Sequence, residues 1–225
     1  MNLKFFKKSL PTIIIMLVFS VAVISAIYSI LNVEKQLPVF NPVDVNPRLV
    51  DSSVKHIRRD HKIADFELIN QNGDTITQED FEGKIYVADF FFTRCQTICP
   101  VMTHNLVKVQ EAYLNDPEVM LLSHSVTPEM DSIPVLRDYA DSKGVNDTKW
   151  HITTGDKKQI YGLARKSYFA VVDEGDGGLQ DFIHTENFVL VDKDRQIRGY
   201  YDGTDFKDIQ RLISDITLLK REYEK

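Results

Sequence analysis

The stretch Ile85-Tyr86-Val87-Ala88-Asp89-Phe90-Phe91-Phe92-Thr93-Arg94-Cys95-Gln96-Thr97-Ile98-Cys99-Pro100 decides how this chain is read. Ile85 to Phe92 is a short, nearly continuous apolar run with β-branched and aromatic residues. That pattern predicts a strand buried on both faces of a parallel sheet, with Phe90, Phe91 and Phe92 as core. After Pro100, the apolar residues Val101, Met102, Leu106, Val109 and Tyr113 recur at roughly helical spacing until Asn115-Asp116-Pro117 ends the pattern. The cysteines therefore sit where a buried strand hands over to a helix, and ligands bind at that carboxyl edge of an open parallel sheet. Pro100 suits the first helical position, which makes Cys99 the approximate cap and leaves Cys95 in the loop.

Cys95 and Cys99 are the only two cysteines. A structural disulfide gains its worth from the loop it closes, and this one would close almost nothing, so the pair points to redox or metal chemistry rather than an inert bridge. Both chemistries need thiolate. A free thiol with pKa near 8.5 is only a few per cent ionised at pH 7, whereas amides at a helix start favour the anion.

Working outward, Val119 to Val126 reads as the next strand, and Asp131 or Ser132 can cap a helix running to about Lys143, with Gly144 past its end. After Trp150 a short helix from about Asp156 to Arg165 precedes Tyr168 to Val172. The acidic, Gly-rich segment Asp173 to Asp181 reads as a solvated loop, since it lacks the ordered ligand spacing of a calcium site. Phe188 to Val191 and Gln196 to Tyr201 flank Asp192 to Arg195 as a closing hairpin, and Phe206 to Leu219 supplies a last helix. Upstream, Ile63 to Ile69 alternates apolar and polar, Asn72-Gly73 is a hairpin turn signal, and Thr75 to Thr77 returns. The order describes an α/β layered domain with an N-terminal hairpin.

No charged residue falls between Ser9 and Val33, and a bilayer core about 30 Å thick needs roughly 20 apolar residues in a helix. Lys4, Lys7 and Lys8 precede this run and Glu34 follows it, so the positive-inside rule leaves the N-terminus in the cytoplasm and exports the rest. A cleaved signal peptide would have a shorter apolar region, and a mitochondrial presequence would be amphipathic and Arg-rich. The expected layout is a cytoplasmic end at 1–9, a transmembrane signal anchor at 10–33, a Pro-containing tether at 34–59 and a folded domain at 60–225, all in a bacterial envelope. A formal charge of -6 excludes a nucleic-acid-binding surface, and 43% hydrophobic with 27% charged residues is a globular composition.

Four segments, FFFTRCQTICPVM at 90–102, SVTPEMDSIPVLRDYADSKGV at 125–145, WHITTG at 150–155 and HTENFVLVDKDRQIRGYYDGT at 184–204, resemble in order the Sco/SenC family of thioredoxin-like copper proteins that take part in cytochrome c oxidase assembly. The resemblance implies a thioredoxin-like fold. It also implies copper, as Cu(I) or Cu(II), on Cys95, Cys99 and His184, with Cys95 and Cys99 doubling as a redox dithiol. The implied partner is the CuA domain of cytochrome c oxidase subunit II, and the implied location is the bacterial inner membrane, single-pass, with the C-terminal domain in the periplasm. Soft thiolates suit Cu(I), and imidazole accommodates both oxidation states.

The chain departs from the family pattern at Gln96-Thr97, where many members carry Pro-Asp, and at Ile183, where many carry Asp. The alternative is a metal-independent thiol-disulfide oxidoreductase that reduces a partner's cysteines; a peroxidase is disfavoured because no separate resolving cysteine exists. Of the other histidines, His56 and His61 read as tether or surface, and His124 and His151 as makers of structural hydrogen bonds. His104 lies five residues beyond Cys99 on the same helix, which points it away from the pair.

Overall fold

The computed structural model describes residues 3–31, 36–171, 178 and 181–224, and the chain divides into two units after Gln36. In the first unit, α1 (Leu3–Leu31) contains the stretch Leu10–Ile27, which is solvent-exposed throughout and, by length and composition, is long and apolar enough to cross a membrane.

The second unit is built on one seven-stranded sheet. Its strands are β1 (Glu67–Asn70), β2 (Thr75–Thr77), β3 (Ile85–Phe91), β4 (Val119–Ser125), β5 (Trp150–Thr154), β6 (Asn187–Val191) and β7 (Ile197–Asp202), in the spatial order β2-β1-β5-β4-β3-β6-β7. The centre is parallel, with β3 beside β4 and β4 beside β5, while β1 and β6 join it antiparallel on either side. All seven residues of β3 are buried. Successive side chains of a strand face opposite ways. Accordingly Tyr86, Ala88 and Phe90 belong to one hydrophobic core, with Phe81, Tyr161 and Tyr168, while Ile85, Val87 and Phe91 belong to the other, with Met102, Leu106 and Leu212.

Helices α2 (Cys99–Ala112), α3 (Ile133–Lys143) and α5 (Phe206–Tyr223) supply the second core, and α4 (Lys157–Gly162), continued by a π-turn over Leu163–Ser167, supplies the first. In α5 the residues Ile209, Leu212, Ile216 and Leu219 are buried at the 3-4-3 spacing of one helix face. Gly144 ends α3 at φ 73°, a left-handed conformation that costs glycine nothing.

The sheet contains one strand that apolar periodicity does not mark. In β5 the buried residues Thr153 and Thr154 are polar; the Thr153 hydroxyl is satisfied by the Ser123 carbonyl at 3.1 Å and by His124 Nδ1 at 3.0 Å. The described part of Tyr168 to Val172, residues 168–171, is buried but forms no strand, and Phe169 takes φ 49°. Of the acidic loop, Gly178 and Asp181 are described and the remainder lies outside the described residues.

Two readings need correction. From residue 37 onward the segment expected to be a tether packs on the domain. The Leu37 amide donates to Glu222 Oε1 at 2.7 Å, Arg198 donates to the Leu37 and Pro38 carbonyls at 2.7 and 3.1 Å, and Leu37, Val45 and Val50 are buried. His61 is not a surface residue either: it is buried, with Nε2 2.8 Å from the Ser167 carbonyl and its ring 4.6 Å from that of Phe169. Neither segment has a periodic pattern, so packing through scattered apolar residues left no signature. His56 is exposed as expected, and His124 and His151 make the expected structural contacts, to Thr153 and Asn70.

Candidate dithiol site at the sheet edge

The loop from Phe92 to Ile98 leaves the carboxyl end of β3 and enters α2. Cys99, rather than Pro100, takes the first helical position, and Ile98 is the cap. Ile98 has no side-chain oxygen, so it cannot satisfy the unpaired amides of the first turn as Ser or Asp would. The Cys95 sulfur does so instead, accepting from the Cys99 amide at 3.4 Å. The Cys95 amide donates to the Phe92 carbonyl at 3.3 Å, which folds the loop back on itself, and the Thr97 hydroxyl lies 3.5 Å from the Cys95 sulfur. Both cysteines are free thiols, and both are buried.

This placement separates the two sulfurs chemically. Burial raises the pKa of each. For Cys95 it is outweighed by hydrogen bonds from the Thr97 hydroxyl, then the Cys99 amide and thiol and the Thr97 amide, which bring the thiol down to about 6. For Cys99 burial dominates; a backbone bond at Phe92 opposes it, the Cys95 sulfur and the Asp89 carboxyl reinforce it, and the thiol rises to about 12. Cys95 is thus the standing thiolate and Cys99 the protonated partner. Iodoacetamide labelling followed by mass spectrometry is expected to modify Cys95 with a rate midpoint near pH 6, while Cys99 stays unmodified through neutrality; equal labelling, or a midpoint near 8.5, would contradict the arrangement.

The loop is held by a side chain that apolar patterning does not single out as part of the site. Asp131 is fully buried and does not cap α3; Ser132 occupies the cap without a side-chain bond. The Asp131 carboxylate instead accepts from the Thr93 hydroxyl at 2.6 Å and amide at 3.3 Å, from Ser125 at 2.5 Å and from Thr127 at 3.0 Å. It joins the cysteine loop to the turn after β4. Below the loop, Asp89 on β3 accepts from Ser123, whose hydroxyl accepts from Trp150 Nε1 at 2.8 Å. Burial lifts Asp89 to about 7, against the lowering effect of the Ser123 bond.

His184 lies on the irregular segment that leads into β6, and it is exposed. Among the described residues no group of three or more His, Cys, Asp or Glu side chains stands close enough to hold a metal. The structure therefore brings the two sulfurs together and does not gather His184 into a closed three-ligand site with them. The two segments do touch: the Phe92 and Phe182 rings meet edge to face with centroids 5.2 Å apart. His104 is exposed on α2 and joins no ligand group. As a donor set the sulfur pair fits a soft cation such as Cu(I), with one sulfur already anionic.

A parallel sheet centre, a strand running into a helix and a thiolate-thiol pair at the junction define a thioredoxin-like dithiol protein. The SCO1/SenC family model matches residues 54–220, and the chain belongs to that family. It is 32% identical to a SCO1 protein homolog of Bacillus subtilis over 158 residues, 69% of this chain and 81% of the relative. BsSco, described as a member of the Sco family of cytochrome c oxidase assembly proteins with a disulfide switch, superimposes with a TM-score of 0.63 at 28% identity, covering 82% of this chain and 98% of that one. Bradyrhizobium japonicum ScoI, solved with copper bound, shares the fold at a TM-score of 0.56 and 23% identity, over 71% of this chain and 99% of that one.

Proposed function

We propose that this chain is a membrane-anchored copper chaperone that carries copper on Cys95, Cys99 and His184 and delivers it to the CuA site of cytochrome c oxidase subunit II. The observation that carries the reading is the Cys95 sulfur accepting from the helix-start amide of Cys99 at 3.4 Å, which places it beside the second sulfur. Copper is cargo here. Two sulfurs retain it as Cu(I), His184 adds an exchangeable imidazole, and an incomplete coordination shell lets ligands of the acceptor attack the ion. Support comes from the family, from the copper bound in the Bradyrhizobium relative and from the assembly role ascribed to BsSco. Helix α1 serves as the anchor; Lys4, Lys7 and Lys8, in its first turns ahead of the apolar stretch Leu10–Ile27, keep the N-terminus cytoplasmic and put the domain in the periplasm of a bacterial inner membrane.

Titration of the reduced, detergent-solubilised chain with Cu(I) against a chromophoric chelator is expected to give one equivalent bound, with His184→Ala weakening affinity by about 10- to 100-fold, the usual scale for perturbing a metal ligand's surroundings or more. Less than one equivalent, or unchanged affinity in the variant, counts against the reading.

The split between the thiols favours a second activity of the same pair, reduction of a partner disulfide. The Cys95 thiolate attacks one partner sulfur and the other leaves as a thiolate; the Cys99 thiol, once deprotonated, then attacks Cys95 and releases the second partner sulfur. The chain ends as the Cys95–Cys99 disulfide, with both partner cysteines reduced. A Cys99→Ser variant that traps no mixed disulfide in cells would remove this second reading.

A further inference from the structure

We propose that Asp181 and Phe182 are positioning residues for His184, pinning the segment that carries it against the rim of the cysteine loop before any metal is bound. The proposal rests on the reading of His184 as a copper ligand and adds how that ligand is held.

From Asp181 to Asn187 burial alternates along the chain. Ile183 and Thr185 are buried, whereas Phe182, His184 and Glu186 are exposed. Asp181, Thr185 and Asn187 are each tied by hydrogen bonds. The Asp181 carboxylate receives a two-pronged bond from Arg165, at 2.6 and 2.7 Å, with both side chains only 6% exposed. That guanidinium lies 5.3 Å over the Tyr161 ring, and the single proton of the Tyr161 hydroxyl is shared between the Val126 carbonyl at 2.9 Å and the Asp181 carbonyl at 3.2 Å. At the far end, the Thr185 hydroxyl and the Asn187 amide group both donate to the Ala170 carbonyl at 2.8 Å. The outward row is thereby fixed in direction by contacts on the opposite face of the same segment.

Phe182 then aims that row. Its ring is 53% exposed yet meets Phe92 edge to face, with the planes at 76°. Phe92 is the residue whose carbonyl receives the Cys95 amide. Two residues of chain span at most about 7 Å, so the backbone of His184 lies within that reach of Phe182, the residue whose ring meets Phe92. A bidentate arginine-carboxylate pair sets orientation as well as attraction, which is what an anchor for a directed side chain requires. Copper then meets an imidazole whose backbone is already placed, and less ordering has to accompany capture.

The test uses the reduced, detergent-solubilised full chain. Phe182→Ala removes an exposed ring at little cost to folding, and Asp181→Asn keeps the shape of the carboxylate while losing the ion pair; Phe182→Tyr keeps the ring and serves as the conservative control. In metal-free protein, amide hydrogen exchange at Asn187, whose N–H donates to the Thr185 hydroxyl of the same segment, is expected to speed up about 10-fold in Phe182→Ala and Asp181→Asn and to stay unchanged in Phe182→Tyr. Unchanged exchange in the first two overturns the proposal whatever copper does. Against the chromophoric chelator, the same two variants are expected to weaken Cu(I) binding about 10-fold, and this loss should vanish when His184 is already Ala. An equal loss in the His184→Ala background also overturns it, because the two residues would then act on the sulfurs or on the fold. If His184→Ala itself leaves affinity unchanged while the exchange rates rise, the ligand reading fails and the anchoring of the segment stands.

Discussion

Replacing Asp131 by Ala is expected to destabilise the domain by about 3–5 kcal/mol, because it strands several buried or half-buried donors at once and each unsatisfied group costs on the order of 1–3 kcal/mol. The Thr93 hydroxyl and amide and the Ser125 and Thr127 hydroxyls all point at this carboxylate. Rotating hydroxyls recover part of that loss and the Thr93 amide cannot turn away, so the sum falls short of four full penalties. Asp131→Asn keeps the shape and one acceptor oxygen and is expected to cost about 1–2 kcal/mol. Urea unfolding of the unit from Leu37 onward measures both. An Asp131→Ala protein within about 1 kcal/mol of the parent would show that the carboxylate is not the hub of this loop. The same substitution frees Thr93 two residues before Cys95, so loss of the thiol asymmetry is expected to accompany the loss of stability.

The second large effect is a pH dependence that two buried groups hide from one another. His124 is fully buried among the rings of Phe66, Phe90 and Tyr168, and burial depresses its pKa from 6.5 to about 3. Between those values the unfolded chain takes up a proton that the native protein refuses, so stability falls by about 1.4 kcal/mol for each unit the pH drops below 6.5. Asp89 has the opposite sign. Burial raises it from 3.8 to about 7, the native protein keeps the proton that the unfolded chain releases, and its stabilisation is full below 3.8 and lost as pH rises toward 7.

Over the shared window from 3.8 to 6.5 the two slopes cancel. Asp89→Asn removes one of them. Its stability is expected to drop between pH 6.5 and 4 by about 3–4 kcal/mol more than that of the parent, whereas His124→Phe should drop by about the same amount less. Urea midpoints measured across that range decide the matter; three parallel curves would mean that neither group titrates as its burial implies.

Much of the architecture is legible locally. Seven buried residues in β3, the helical spacing after Pro100, the Asn72-Gly73 turn and the stripe of α5 are all short-range patterns of apolar and turn residues. They announce a parallel core with a cysteine pair at its edge. The four motif segments carried the family, which the match over residues 54–220 bears out. β5 escaped because two of its buried residues are threonines, one of which, Thr153, is satisfied by partners some thirty positions upstream, and Leu37 and His61 escaped because nothing periodic surrounds them.

What the sequence determined by itself is the order of the elements other than β5, an apolar run within the helix Leu3–Leu31 and the position of Cys95 and Cys99 at a strand-to-helix junction, since each depends on residues within a turn or two of one another. Only the tertiary structure decided which sulfur is the thiolate, that Asp131 turns inward to hold Thr93 rather than capping α3, and that Phe182 brings the His184 segment to Phe92. Those outcomes depend on burial and on hydrogen-bond partners far apart along the chain. Such partners meet only once the sheet has assembled.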